Sequence, residues 1–151
     1  MTHIIERVEV FVTALSIRLK RTFSSGSYDT GPAEQLLGKP VLVKIYAGGV
    51  VGYAQIRPIS PGHFVADTVH SVVAAIEEIY GPLLIGRDIF DTVAISEQFD
   101  LRLAGNPAAR AVIDIALHDA MGKALGLPIH KLIGGVLPAE ITAGMVGKFG
   151  R

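Results

Sequence analysis

The chain is 151 residues long, 50% hydrophobic and 19% charged, with 14 basic residues balancing 14 acidic ones. That composition excludes a disordered segment, which combines low hydrophobicity with high net charge. A formal net charge of +0 argues against nucleic acid as a partner, because its binders neutralise phosphates with excess cations. The sequence contains no cysteine, hence no disulfide frame, thiolate metal site or cysteine nucleophile. Glu6, Arg7 and Glu9 interrupt the N-terminus where a signal peptide needs an apolar run, and no run reaches the roughly 18 apolar residues of a membrane span. The expectation is one cytoplasmic domain with no membrane partner. Its mean hydropathy of +0.45 is high for a small free domain. Either a core of small residues inflates it, or one face awaits a cover from outside these residues.

In chain order, Ile4 to Lys20 reads as a long half-buried strand. Val8, Val10, Val12 and Ala14 share one parity, Ile17 and Leu19 the other, so a bulge or bend is expected near Leu15. Thr22 to Pro32 is turn chemistry throughout and predicts an exposed loop. Val41–Tyr46 and Val50–Ile56 flank Ala47-Gly48-Gly49, a hairpin signature because paired glycines supply the positive φ of a tight turn. The period then turns helical. Val69, Val72, Val73, Ile76 and Tyr80 fall on one face, with Asp67 placed as N-cap and Gly81-Pro82 as the stop. A weaker helix runs from Ile89 to about Leu101 with Asp88 as its cap. Pro107 to Leu125 is the clearest helix, with Asn106 as N-cap, Pro107 at its first position and Gly126 ending it. Its stripe of Ala109, Val112, Ile113, Ala116, Leu117, Ala120 and Ala124 is small enough for close packing. Pro128 starts a short turn that Gly134-Gly135 ends, and Ile141 to Val146 reads as one more strand. Strands followed by helices predict a segregated α+β fold: a three-stranded antiparallel sheet, then three or four helices.

Residue chemistry points to no active site. Asp114 and Asp119 stand five apart on a helix, each with a basic neighbour one turn away (Arg110–Asp114, Asp114–His118, Asp119–Lys123), so they read as helix-bracing pairs. His118 and His130 lack the spacing that brings two imidazoles to one metal, and His3, His63 and His70 are scattered. Neither a phosphate loop nor a Gly-x-Ser-x-Gly elbow occurs.

One stretch carries more. Ala109 to Gly135, with Asp114, Asp119, Gly122-Lys123, Gly126-Leu127-Pro128 and Leu132-Ile133-Gly134-Gly135, closely resembles the signature of the mandelate racemase/muconate-lactonising branch of the enolase superfamily. Gly81 to Asp88 is similar to that family's link between its first two helices, and Val41–Tyr46 with Gly49–Gly52 to its central hairpin. The resemblance implies an N-terminal capping domain over residues 1–135, with 136–151 a linker and the truncated start of a first barrel strand. It implies a parent isomerase or lyase in which a carboxylate substrate is bound to Mg²⁺ and a base removes its α-proton. Metal ligands and base belong to a C-terminal barrel of about 250 residues, so neither a catalytic nor a metal-binding residue is expected here, and the chain alone is expected to be inactive. What the cap contributes is specificity, through Thr22–Tyr28 and Arg57–Phe64. The expected pocket neighbours are Phe23, Ser25, Tyr28, Ile59 and His63. The partners implied are the barrel, a small carboxylate and further copies in a homo-oligomer. The alternative is a stand-alone binding or oligomerisation module that has kept the cap fold. Gly52-Tyr53-Ala54-Gln55 departs from the family's Gly-x-Gly-Glu, leaving a neutral residue where relatives carry an acid.

Overall fold

The computed structural model of the chain describes residues 2–14, 20–23, 26–29, 39–58 and 66–135. Strands β1 (Ile5–Val12), β4 (Val41–Ala47) and β5 (Val50–Ile56) form an antiparallel sheet in the order β1-β4-β5. Strands β2 (Lys20–Phe23) and β3 (Gly26–Asp29) pair separately as a two-stranded ribbon. Helical chain follows: α1 (Val69–Ala74), a π-helical segment (Ala75–Tyr80) and α2 (Gly81–Leu84) run on from one another, then come α3 (Thr92–Arg102), α4 (Pro107–Leu125) and α5 (Ile129–Leu132). This is the expected α+β cap.

Alternation sets the sheet's inner face. Val41, Val43, Ile45 and Ala47 of β4 are fully buried, and Val8 and Val10 pair with Ile45 and Val43 on the same side. The hairpin turns as its glycines demand, with Gly48 at φ 50° and Gly49 at φ 83°. Helix α4 closes over this face along Ala109, Val112, Ile113, Ala116, Leu117 and Ala120, all at most 2% exposed. The close approach is made at β5. A Cβ on Gly52 would stand 2.0 Å from the Ala116 carbonyl oxygen and 2.9 Å from the Ala120 Cβ, so strand and helix meet backbone to backbone.

Several local expectations are corrected. Strand β1 ends at Val12 and carries a register slip between Ile5 and Arg7 that was not expected, while the bend expected near Leu15 lies outside the described residues. Thr22–Pro32 is not loop throughout, since Thr22 and Phe23 pair with Ser27 and Gly26. The first helix does not stop at Gly81-Pro82. Pro82 has no N–H and crowds the carbonyl four residues back. The π turn accommodates this, and the Gly81 N–H donates to the Ile76 carbonyl five residues earlier. That helix is capped by Thr68, whose side chain accepts the Ser71 N–H in a capping box, not by Asp67. Helix α3 begins at Thr92, and Asp88 does not cap it: its carboxylate accepts the N–H groups of His3 and Phe90. Asn106 sits at the N-cap of α4 in a left-handed conformation, and its side chain makes no capping bond. The acceptor there is Asp67 Oδ2, 2.8 Å from the Ala108 N–H.

Candidate functional site

The residues expected to face substrate sit on two stretches. Phe23 ends β2 and Tyr28 lies in β3, where the pairings Arg21–Tyr28 and Phe23–Gly26 place positions 21, 23, 26 and 28 on one side of the ribbon. Ser25, Ile59 and His63 lie outside the described residues. The stretch carrying Ile59 and His63 leaves β5 through the buried Pro58 and rejoins the described fold at Ala66 and the buried Asp67.

The acids of the signature helix are engaged in holding the fold. Asp119 Oδ2 accepts the Tyr53 N–H at 2.7 Å and pairs with Lys123 Nζ at 2.5 Å. Lys123 also donates to the Val51 carbonyl at 2.8 Å and lies over the Tyr53 ring, 4.5 Å from its centroid. The two side chains thus satisfy backbone groups on the outer edge of β5, which would otherwise be open for pairing. Asp114 keeps its expected partner, with His118 Nδ1 3.4 Å from its Oδ1. Arg110 does not pair with Asp114 as expected, but reaches across to Asp100 and Ser96 of α3. The longer, branched guanidinium finds two oxygens on the neighbouring helix rather than one on its own.

The outer face of the sheet alternates aromatic and charged groups. Arg7 stacks on Tyr46 at 3.9 Å, and Lys44 stands between the rings of Phe11 and Tyr53 at 5.0 and 5.7 Å. Tyr46 donates to Glu9 Oε2 at 2.8 Å, and that bond, with desolvation and the carboxylate charge, raises its phenol above the ordinary range. Burial raises Tyr80 likewise. Neither tyrosine adjoins a nucleophile or an unengaged base among the described residues. No group of three or more histidine or acidic side chains there could hold a metal ion. The described donor set therefore does not fit the Mg²⁺ that the resemblance implies. Grooves among the described residues include one of about 190 Å³ between α3 and α4, one of about 270 Å³ between β1 and α2, and a wide, shallow one of about 560 Å³ where the end of α4 meets Gly126–His130. The first two are smaller than usual small-molecule sites, and the third lies open to solvent beside the Asp119–Lys123 pair.

Residues 33–134 match the model of the mandelate racemase / muconate lactonizing enzyme N-terminal domain. The chain belongs to this family. As a capping domain of that branch it is 33% identical over 100 residues to a chloromuconate cycloisomerase from Pseudomonas putida, covering 66% of this chain and 27% of that protein. It is 32% identical over 138 residues to an L-Ala-D/L-Glu epimerase from Clostridium acetobutylicum, covering 89% of this chain and 37% of that one. Among solved structures, a dipeptide epimerase from Enterococcus faecalis, complexed with Mg and the dipeptide L-Leu-L-Tyr, superposes with a TM-score of 0.71 at 30% identity. The match covers 87% of this chain and 35% of that protein. The capping domain thus spans about a third of the length of the relatives it matches.

Reading the sequence missed what Asp67 does, and of Asp119 it found the Lys123 pair but not the bond from the Tyr53 N–H. Asp67 and Thr68 are consecutive capping residues before one helix, and only one of them can cap it. That redundancy is the available signal that the other serves elsewhere.

Proposed function

We propose that this domain is the cap and specificity element of an Mg²⁺-dependent isomerase or lyase of the enolase superfamily, which removes the proton α to a carboxylate. The observation that carries the reading is the match of residues 33–134 to an N-terminal domain, in a chain spanning about a third of its relatives. A proton beside a carboxylate is too weakly acidic for a side chain to remove unless the carboxylate charge is neutralised. On this reading the cation site and the base belong to a C-terminal barrel, and residues 1–135 are inactive alone. Residues 136–151 then lead into that barrel.

The cap's part is to wall the pocket and exclude water. Phe23, Ser25 and Tyr28 from the ribbon, with Ile59 and His63 from the stretch after β5, face the substrate. Water exclusion strengthens every charge interaction inside such a site. The remaining apolar surface, including Val93 and Leu101 at 73% and 77% exposure, is available to the barrel or to further copies of the subunit.

The test begins with the intact mass of the natively expressed polypeptide, followed by turnover of small carboxylates bearing an α-proton, with and without EDTA. The expected result is a chain about two and a half times the 16.0 kDa of these residues, with racemase, epimerase or cycloisomerase activity abolished by chelation. A 16.0 kDa polypeptide that forms a defined oligomer and turns over none of them would refute the reading and leave a stand-alone binding module.

A further inference from the structure

We infer that the outer face of the β1-β4-β5 sheet is an interface with a second copy of this chain, the two sheets packing face to face about a two-fold axis that runs between β1 and β4. The inference rests on the sheet alone and stands whether or not the reading above holds.

An antiparallel sheet with one face in water carries polar groups on that face. This outer face does so only in part. Phe11 and Tyr53 lie 41% and 45% exposed on it, and Leu42 is half-buried beside Phe11. The pairing of β1 with β4 sets its residues in rows, with Arg7 beside Tyr46, Glu9 beside Lys44 and Phe11 beside Leu42. The Glu9 carboxylate takes Arg7 on one oxygen and the Tyr46 hydroxyl on the other. Among the described residues no carboxylate lies within ion-pair distance of Lys44, which stands instead between the rings of Phe11 and Tyr53. The face thus presents a cation on an aromatic floor without a counter-charge, and next to it a carboxylate whose oxygens each keep a lone pair to spare.

A two-fold axis parallel to the strands and midway between β1 and β4 lays each of these strands over the other in the second copy. That rotation leaves position along the strand unchanged, so every row meets its own reversed image. Lys44 then faces the partner's Glu9, and Glu9 faces the partner's Lys44, giving two opposite-charge contacts across one axis. Phe11 and Leu42 face the partner's Leu42 and the partner's Phe11, an apolar cluster of four beside those charges. An axis along β4 would instead set Lys44 on the partner's Lys44, like charge against like. Sheets packed face to face lie about 10 Å apart with their strands within about 30° of one another, a gap that aromatic and lysine side chains from both sides can fill. The pairing is isologous, so it closes on two copies.

The experiment uses the full natural polypeptide and reads its mass in solution by light scattering. Lys44→Glu sets acid against acid at both contacts, and Glu9→Lys sets base against base. Each variant is expected to associate across this face at least about tenfold more weakly than wild type. Its mass then falls by half where wild type is fully assembled. An equimolar mixture of the two variants is the decisive sample. In a mixed pair both contacts are again of opposite charge, although the neighbours within each chain remain alike. The mixture is therefore expected to regain the wild-type mass, which no effect on the folding of a single chain can produce.

Far-ultraviolet circular dichroism checks that the variants fold. Should a charge variant not fold, Phe11→Ser takes its place. It carries no new charge at an exposed position and is expected to lower the mass in the same way, whereas an unchanged mass overturns the inference. The inference is likewise overturned by a wild type that stays monomeric up to about 100 μM, by folded charge variants that keep the wild-type mass, or by a mixture that does not regain it.

Discussion

Replacing Gly52 by alanine places a methyl group where no space exists. The added Cβ would lie 2.0 Å from the Ala116 carbonyl oxygen and 2.9 Å from the Ala120 Cβ. A carbon and a carbonyl oxygen rest at about 3.3 Å or more, so strand and helix must separate by about 1 Å. The obstacle is helix backbone, which no rotamer change can move aside. Overpacking of a close-packed core costs about 1–3 kcal/mol, and a backbone obstacle belongs at the upper end. Against this, alanine restricts the unfolded chain and returns up to about 1 kcal/mol. The net loss is about 2–3 kcal/mol, a large part of a typical domain stability of roughly 5–15 kcal/mol. Thermal unfolding followed by circular dichroism should show a fall in Tm of about 4–12 °C, at about 2–4 °C per kcal/mol for a chain of this size. The urea midpoint should drop by about 1 M with an unchanged slope. Gly49→Ala supplies the comparison. At φ 83° with nothing within 4 Å of the added atom, it pays backbone strain alone, about 1 kcal/mol. A G52A protein as stable as G49A or more so would refute backbone-to-backbone contact between β5 and α4.

Three further outcomes can be checked. Asp119→Ala should cost about 1–2 kcal/mol in chemical denaturation, because it frees the Tyr53 N–H and the Lys123 ammonium together, and Lys123→Met in that background should add little. Burial raises the Tyr80 phenol, so its contribution to stability is complete below the unfolded value near 10 and is lost as pH rises through the folded value. Urea midpoints should therefore fall at alkaline pH, and Tyr80→Phe should flatten that fall while costing under about 1 kcal/mol at neutral pH, since its hydroxyl lies 3.4 Å from the Leu103 carbonyl. Glu9→Ala removes the largest cause raising Tyr46, the hydrogen bond its hydroxyl donates, so ultraviolet titration should show one tyrosine ionising at lower pH than in wild type; an unchanged titration would contradict the Glu9–Tyr46 assignment.

What could be read from the sequence was what neighbouring residues decide. The glycine pair at 48–49 dictated the hairpin, the 3-4 stripe from Ala109 to Ala120 marked the buried face of α4, and Gly126 ended it in the left-handed region. The misreadings of caps and ion pairs share one cause, which is that a polar side chain chooses among partners the sequence does not place beside it. Asp67 left Thr68 to cap the nearer helix and bonded Ala108, Asp88 turned to His3, and Arg110 preferred α3 to its own helix. The Tyr53–Asp119 bond spans 66 residues and has no local signature. For the candidate site, Phe23 and Tyr28 were named as pocket residues from the family resemblance, but the β2–β3 pairing beneath them was not foreseen. Ser- and Gly-rich composition reads as loop even where a ribbon forms, because short strands draw their stability from pairing rather than propensity.

The π-helical segment has a consequence for chain length. Val72, Ile76, Tyr80 and Leu84 are all fully buried, one every fourth residue. In a regular α-helix of 3.6 residues per turn, such a 4-4-4 series drifts about 40° per step, so the last member would lie about 120° from the first. The wider turns of Ala75–Tyr80 offset that drift and keep all four residues towards the core. The helix thus holds one residue more than a regular one needs across the same span. Glu77 and Glu78 lie exposed inside it. Deleting either converts the spacing to 4-3-4, which a regular helix keeps on one face, so this helix can shorten by one residue without rotating its buried side away from the sheet. The same deletion within α4 would turn every later residue by about 100° and carry Ala116 and Ala120 off Gly52. A change in length is therefore admissible at Glu77–Glu78 and excluded at the helix that seats the strand.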